Sequence, residues 1–437
     1  MQLEKQIQPL SFPAELPDKL LVVDQHFDAP EVGDLAEKVR QQFEASGLLA
    51  GMPLGSRVAV GVGSRGIREI VPIARAVVDT FKAAQMRPFI IPAMGSHGGA
   101  TPEGQIALLA DLGITSESMG VDIRATMDVR LVGKLENGPE LFQDAVSASA
   151  EATFLINRVK PHTDFNGVLE SGISKMAVIG LGKRRGAEAM HSFGGDGFRR
   201  FLAPAARVYE SQTNLLGGLA LVENANGGIA DLVVLSAHQI GGPVEQELLE
   251  RARTLMARLP FEHVDVLVVR QLGKNFSGTG MDTNVIGRLM IPRQPEPEDG
   301  PDIAVIAVLD LSPESEGNGA GIGLANVIPQ RLADKVNWKA TYTNAITSGI
   351  FGMQRVSLPI TMPDDRRTLQ VALRGCGRSP SQARMVWINN TSKLGRLWVS
   401  PNLKPMVENL PCLSIAGELP LAFSEDGLLI SPWQLDR

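Results

Sequence analysis

The sequence predicts an α/β protein of two domains, each an open, mostly parallel sheet with helices on both faces. Three observations carry that expectation. Short β-branched apolar runs recur, each followed by glycine or a polar turn and then by a stretch of helical periodicity, the alternation that α/β layers require. The chain has 437 residues, 44% of them apolar and 21% charged, enough to bury more than one core. Pro260 closes a long helical stretch just before a new strand pattern, which sets an expected boundary between a first domain at 1–260 and a second at 261–410, with the tail 411–437 packing back on the first.

In chain order, Arg57 to Gly63 (RVAVGVG) reads as a buried strand, and REIVPIARAVVDTFKAAQ after it has helical periodicity. RPFIIPAMGSHGG is the next strand and its loop. In TPEGQIALLADLG, Thr101 can cap a helix that has Pro102 in its first position and Gly113 at its end. ATFLINRVKPH is a third strand running into a loop, and Asp231 to Ser236 (DLVVLS) a fourth. The helical stretch VEQELLERARTLMARLP leads to VDVLVVRQLG, the strand expected to open the second domain. That domain continues through PDIAVIAVLDLS, the glycine-rich EGNGAGIGLANVIP and KATYTNAITSG. Arg293 to Asp302 (RQPEPEDGPD) reads as a solvated, proline-rich acidic loop.

A formal net charge of −6 argues against nucleic acid or an anionic membrane as the main partner, because either needs a clustered positive field. Cys376 and Cys412 are the only cysteines, too few for a disulfide framework or a thiolate metal site. The opening MQLEKQIQPLSFPAELPDKL lacks a basic end followed by an apolar run, and no uninterrupted apolar stretch reaches membrane-spanning length. The expected compartment is the cytoplasm.

Three of the early strands end in loops that hold polar, reactive residues: GVGSRG with Ser64 and Arg65, GSHGG with His97, and KPHTDFNG with His162. Carboxyl ends of parallel strands face a common crevice in open α/β sheets, so these loops are expected to meet. Flanking glycines permit close backbone approach and aimed N–H groups, which suit phosphate or carboxylate. GVGSRG is neither a Walker loop nor a dinucleotide fingerprint. His26, His238 and His263 read as surface or hydrogen-bonded structural residues, and SKMAVIGLGK can be read as a strand with Lys175 turned to water.

A larger pattern joins these pieces. Pro161-His162, then Ser171-Gly172-Ile173-Ser174-Lys175, then His191, preceded by PAMGSHGGATPEGQIALLADLG with His97, resembles the nickel-dependent lactate racemase family. GMDTNVIGR and SEGNGAGIGLANV are similar to that family's second domain, so the resemblance covers most of the chain. It implies a nickel-pincer nucleotide, a pyridinium mononucleotide that binds nickel through two sulfurs and a ring carbon and is covalently attached at Lys175 by a thioamide link. His191 would be the protein's nickel ligand. His97 and His162 would be the two acid/base groups in an isomerase that inverts C2 of a 2-hydroxy acid by reversible hydride transfer, in a cleft between the domains. Ser64, Arg65, Ser171 and Gly172 are the candidates for holding the nucleotide, and Arg65 or Lys274 for the substrate carboxylate.

The family's Asp-x-Thr-Arg-Pro stands here as Val62-Gly63-Ser64-Arg65-Gly66, and its Gln-x-x-Lys pair has only Gln271 and Lys274 to match it, ahead of GMDTNVIGR rather than behind. These departures touch the substrate end and point away from lactate, towards a larger 2-hydroxy acid or a sugar acid epimerised at C2. Cofactor-biosynthesis enzymes are implied partners, and protein made without them is expected to lack the cofactor. A homo-oligomer is left open. Two other classes are weighed beside this one: a zinc-dependent hydrolase using the three histidines, and a non-catalytic nucleotide- or carboxylate-binding protein.

Overall fold

A computed structural model describes residues 2–64 and 66–430. It is an α/β protein with large, mostly parallel sheets flanked by helices, and it divides into two compact units, one of residues 28–256 and the other of 1–27 with 257–437.

The 28–256 unit is built on a five-stranded sheet in the order Arg87–Pro92, Arg57–Val62, Ala152–Val159, Leu215–Glu223, Ile229–Ser236. The first four run parallel and the last antiparallel. Successive side chains of a strand point to opposite faces, and the core obeys that rule: Val58, Val60 and Val62 join one apolar cluster while Ala59 joins the other. Helices Leu35–Ser46 and Ile70–Ala83 cover the first face, and helices Gly194–Gln212 and Pro243–Leu255 the second. The Thr101 cap is present, its hydroxyl accepting from Gly104 N–H at the head of helix Pro102–Asp111.

The second unit holds an eight-stranded sheet in the order Ile360–Met362, Val327–Pro329, Asp302–Leu311, His263–Leu272, Met385–Ile388, Arg396–Val399, Lys19–Gln25, Leu413–Pro420. The first five are mutually parallel, and the last three join by antiparallel pairing, each to its neighbour. Two domain expectations need correction here. The strand Lys19–Gln25, placed by sequence in the first domain, pairs on both sides within the second unit, and its Leu20 and Val22 belong to that unit's core. The tail strand Leu413–Pro420 pairs with that strand, so the tail joins the second unit. Hydrogen-bond pairing and burial of Leu20 and Val22 decide the assignment over sequence proximity. Among the described residues, no helix is long and apolar enough to cross a membrane.

Candidate active site

The parallel neighbours Arg87–Pro92, Arg57–Val62 and Ala152–Val159 bring their carboxyl ends to one edge of the five-stranded sheet, as the register Val62 with Pro92 and Val62 with Ile156 requires. His97, Ser64 and His162 lie just beyond those ends. Ser64 Oγ and His97 Nδ1 are hydrogen-bonded, which unites the first two loops. Arg65 lies outside the described residues.

The His97 loop turns on Gly98, whose φ is +65° and where a Cβ would stand 2.5 Å from the carbonyl carbon of Gly104, so only glycine fits. Below it, buried Gln105 donates to the carbonyls of Gly95 (2.9 Å) and His97 (3.3 Å). Gln105 in turn accepts from the buried Lys183 ammonium at 3.0 Å, which also donates to Pro92 O and pairs with buried Asp144 at 3.2 Å. Burial pushes the Lys183 pKa down and that of Asp144 up, while their mutual attraction opposes both shifts. Three acceptors for one ammonium tie the helix Lys183–His191 to the loop that carries His97.

The loop after Val159 folds around a buried carboxylate that sequence reasoning missed. Glu170 accepts from His162 N–H and from Gly167 N–H, both at 2.7 Å, and is paired with Arg253. Desolvation raises the Glu170 pKa against those hydrogen bonds and the guanidinium. Ser171 closes the loop at its mouth, its hydroxyl accepting from Lys160 N–H and donating to Lys160 O. The side chain of Asp164 stands 3.7 Å from His162 Nδ1, and its backbone N–H donates to the same nitrogen at 3.0 Å.

The stretch around Lys175 is helical, which corrects the strand reading. Gly172–Lys175 forms one helical turn that continues as a π-helix through Met176–Gly180, a form of helix that recurs at functional sites. Gly172 has φ +84°, and a Cβ there would come within 2.2 Å of Glu245 Oε1. Buried Glu245 accepts from Ser174 N–H at 3.0 Å and Gly241 N–H at 2.7 Å, so it caps the turn from the helix Pro243–Leu255. Asn157 donates to Gly172 O at 2.8 Å, fastening the same turn to the sheet.

Two phenyl rings then join three of the four predicted residues. His162 stacks on Phe165 at 4.5 Å, Phe165 on Phe198 at 5.2 Å, and His191 meets Phe198 edge-on at 5.1 Å. The Lys175 ammonium lies 5.8 Å from the Phe165 centroid and 5.3 Å from that of Phe198, within cation–π reach of both. His191 keeps a solvent-accessible edge, yet desolvation is the first cause of its lowered pKa; Lys175 adds to the shift and Asp164 opposes it. The shift favours the neutral ring, and its exposed edge faces solvent. The aromatic pair had a faint sequence signal in HTDF, whereas Glu245, distant in sequence, had none.

Lys274 belongs to the other unit, where its ammonium donates to Gly278 O at 2.5 Å and Asn344 Oδ1 at 2.9 Å, closing its own loop. The three structural histidines are hydrogen-bonded, His26 to Ser414, His238 to Glu210 and His263 to Asp302. A cavity of about 480 Å³ lined by Arg57, Arg87 and Glu151 sits at the amino ends of the strands of the five-stranded sheet, the opposite edge from the His97 and His162 loops, with Arg57 paired to Glu151 and Arg87 bonded to Gly55 O. Compared with known proteins, the chain matches no family model and, at a significant level, no curated protein.

Proposed function

We propose that this protein is a racemase or epimerase of the nickel-dependent lactate racemase type, inverting C2 of a 2-hydroxy acid in the cytoplasm. The observation that carries the reading is the shared aromatic wall on which Lys175, His191 and His162 meet. A nickel-pincer nucleotide asks a protein for one tethering amine and one neutral nitrogen donor, since its own sulfurs and ring carbon fill the other nickel positions. Lys175 and His191 fit those two demands. Among the described residues no three His, Cys, Asp or Glu side chains gather to hold a metal, which tells against a zinc hydrolase using His97, His162 and His191.

When bound, the nucleotide supplies an electron-poor ring carbon that accepts hydride from C2, so no carbanion forms beside the substrate carboxylate. The chain's own work is proton management. One imidazole, His97 or His162, takes the hydroxyl proton as the 2-keto acid forms, and the other returns a proton after the planar ketone has turned. Imidazole suits both directions because its ordinary pKa lies near neutrality. Arg65 is the proposed partner of the substrate carboxylate.

The test is intact-mass and metal analysis of protein co-expressed with the cofactor-making enzymes and supplied with nickel. A mass adduct localised to Lys175, with stoichiometric nickel, is expected, and Lys175→Ala should lack both. Unmodified Lys175 in a host that makes the cofactor would sink the proposal. With the holoprotein, a panel of C2-deuterated 2-hydroxy acids should identify a substrate inverted with the label largely retained. Loss of deuterium to solvent would mean proton exchange instead.

A further inference from the structure

The two proposed acid/base histidines have unlike partners at Nδ1. His97 Nδ1 faces the hydroxyl of Ser64, a group that donates or accepts as the ring requires. His162 Nδ1 accepts from Asp164 N–H at 3.0 Å, and a backbone N–H can only donate. A neutral imidazole held in this way carries its hydrogen on Nε2. Such a ring can donate at Nε2 but cannot take a proton there, because the Nε2 lone pair is part of the aromatic system. A base at Nε2 needs the other tautomer, with hydrogen on Nδ1, and that hydrogen needs an acceptor. The same residue holds one: Asp164 Oδ2 stands 3.7 Å from His162 Nδ1, a small side-chain movement from hydrogen-bond distance.

We propose that Asp164 is the positioning residue that switches His162 between two hydrogen-bonded states. Its N–H holds the resting neutral ring as the Nε2–H tautomer, and its carboxylate receives Nδ1–H whenever that nitrogen is protonated. The atoms balance simply. The imidazolium carries both hydrogens, with Nδ1–H on the Asp164 carboxylate; passing the Nε2 proton to the substrate alkoxide leaves the neutral Nδ1–H ring, whose Nε2 can take a proton back. Return to rest moves one hydrogen from Nδ1 to solvent and one from solvent to Nε2. Protonation makes Nδ1 a donor facing the Asp164 N–H, so the exchange breaks that hydrogen bond as the carboxylate takes Nδ1–H, while the Glu170 bond to His162 N–H and the Phe165 stack retain the rest of the loop and the ring.

The inference rests on the acid/base role proposed for His162, but its test uses cofactor-free protein and so fails or succeeds independently of the Lys175 adduct. Long-range proton–nitrogen NMR correlations of protein labelled with ¹⁵N-histidine identify imidazole tautomers, and His162→Gln assigns the ring in question. With the ring neutral, His162 should show a pyridine-type Nδ1 and a pyrrole-type Nε2. Once it is protonated, its Nδ1–H should appear far downfield in the wild type and shift upfield in Asp164→Asn, whose backbone N–H is retained and whose resting tautomer should be unchanged. Amide spectra that overlay elsewhere establish that the variant is folded. A neutral ring with hydrogen on Nδ1, or a protonated ring insensitive to Asp164→Asn, overturns the proposal.

Discussion

Glu245 shows what a single buried carboxylate does for the site. It accepts from the backbone N–H groups of Ser174 and Gly241, and desolvation outweighs those hydrogen bonds and raises its pKa. The sign of the consequence follows from linkage. A carboxyl whose folded pKa lies above its unfolded value favours folding below the unfolded pKa, about 4.3 for glutamate, and loses that contribution as pH rises through the folded value. The difference in melting temperature between wild type and Glu245→Gln should therefore move against the wild type as pH is raised from about 4 towards neutrality. A pH-independent difference in calorimetry would show that Glu245 titrates alike in both states. At this scale the sequence was legible for histidines flanked by glycine or proline at strand ends, such as His97 and His162. It was silent on Glu170, Glu245 and Lys183, because the groups that give them meaning come from elsewhere in the chain: Arg253, the turn that carries Ser174, and Asp144 with Gln105.

At the scale of elements, two segments depart from their local sequence signals for a common physical reason. SKMAVIGLGK looks like a strand because β-branched residues sit among apolar ones, yet Gly172 in the left-handed region and the Glu245 cap start a helix there. LLGGLALVE, the strand Leu215–Glu223, looks broken by its glycine pair. In the sheet a Cβ on Gly217 would lie 2.2 Å from Leu235 O, and one on Gly218 would lie 2.7 Å from Ile173 Cγ2, so both glycines serve close approach rather than a turn. Tertiary contact overrode local propensity in both, and the second glycine packs beneath the helix of Lys175. Gly172→Ala should then destabilise by at least about 1–2 kcal/mol from its backbone conformation alone, with the overlap on Glu245 added. Urea denaturation measures the loss, and unchanged stability would refute the argument. Lys183→Met, which strands Asp144, should cost roughly 3–5 kcal/mol. Adding Asp144→Leu should restore much of that, since paired hydrophobic replacement of a buried ion pair is often neutral or better.

For the whole molecule, the fold class could be read from the rhythm of strands and helices, and the boundary near Pro260 falls within a few residues of the observed division at 256 and 257. The destination of the first 27 residues could not be read, because a strand's partners are not local information. Lys19–Gln25 lies inside the eight-stranded sheet, between Arg396–Val399 and Leu413–Pro420, with four of its residues buried in succession, Leu20 to Val23. Removing an interior strand leaves hydrogen-bonding edges and apolar faces uncovered on both sides of the gap. Residues 28–256, in contrast, hold a complete sheet with a core on each face and no strand borrowed from elsewhere. Expressed alone, 28–256 should melt cooperatively and give a dispersed amide spectrum. Residues 257–437 should do so only when 1–27 are joined to them or supplied as a peptide. If 257–437 folds equally well without that strand, the pairing seen for Lys19–Gln25 contributes nothing to the stability of its unit.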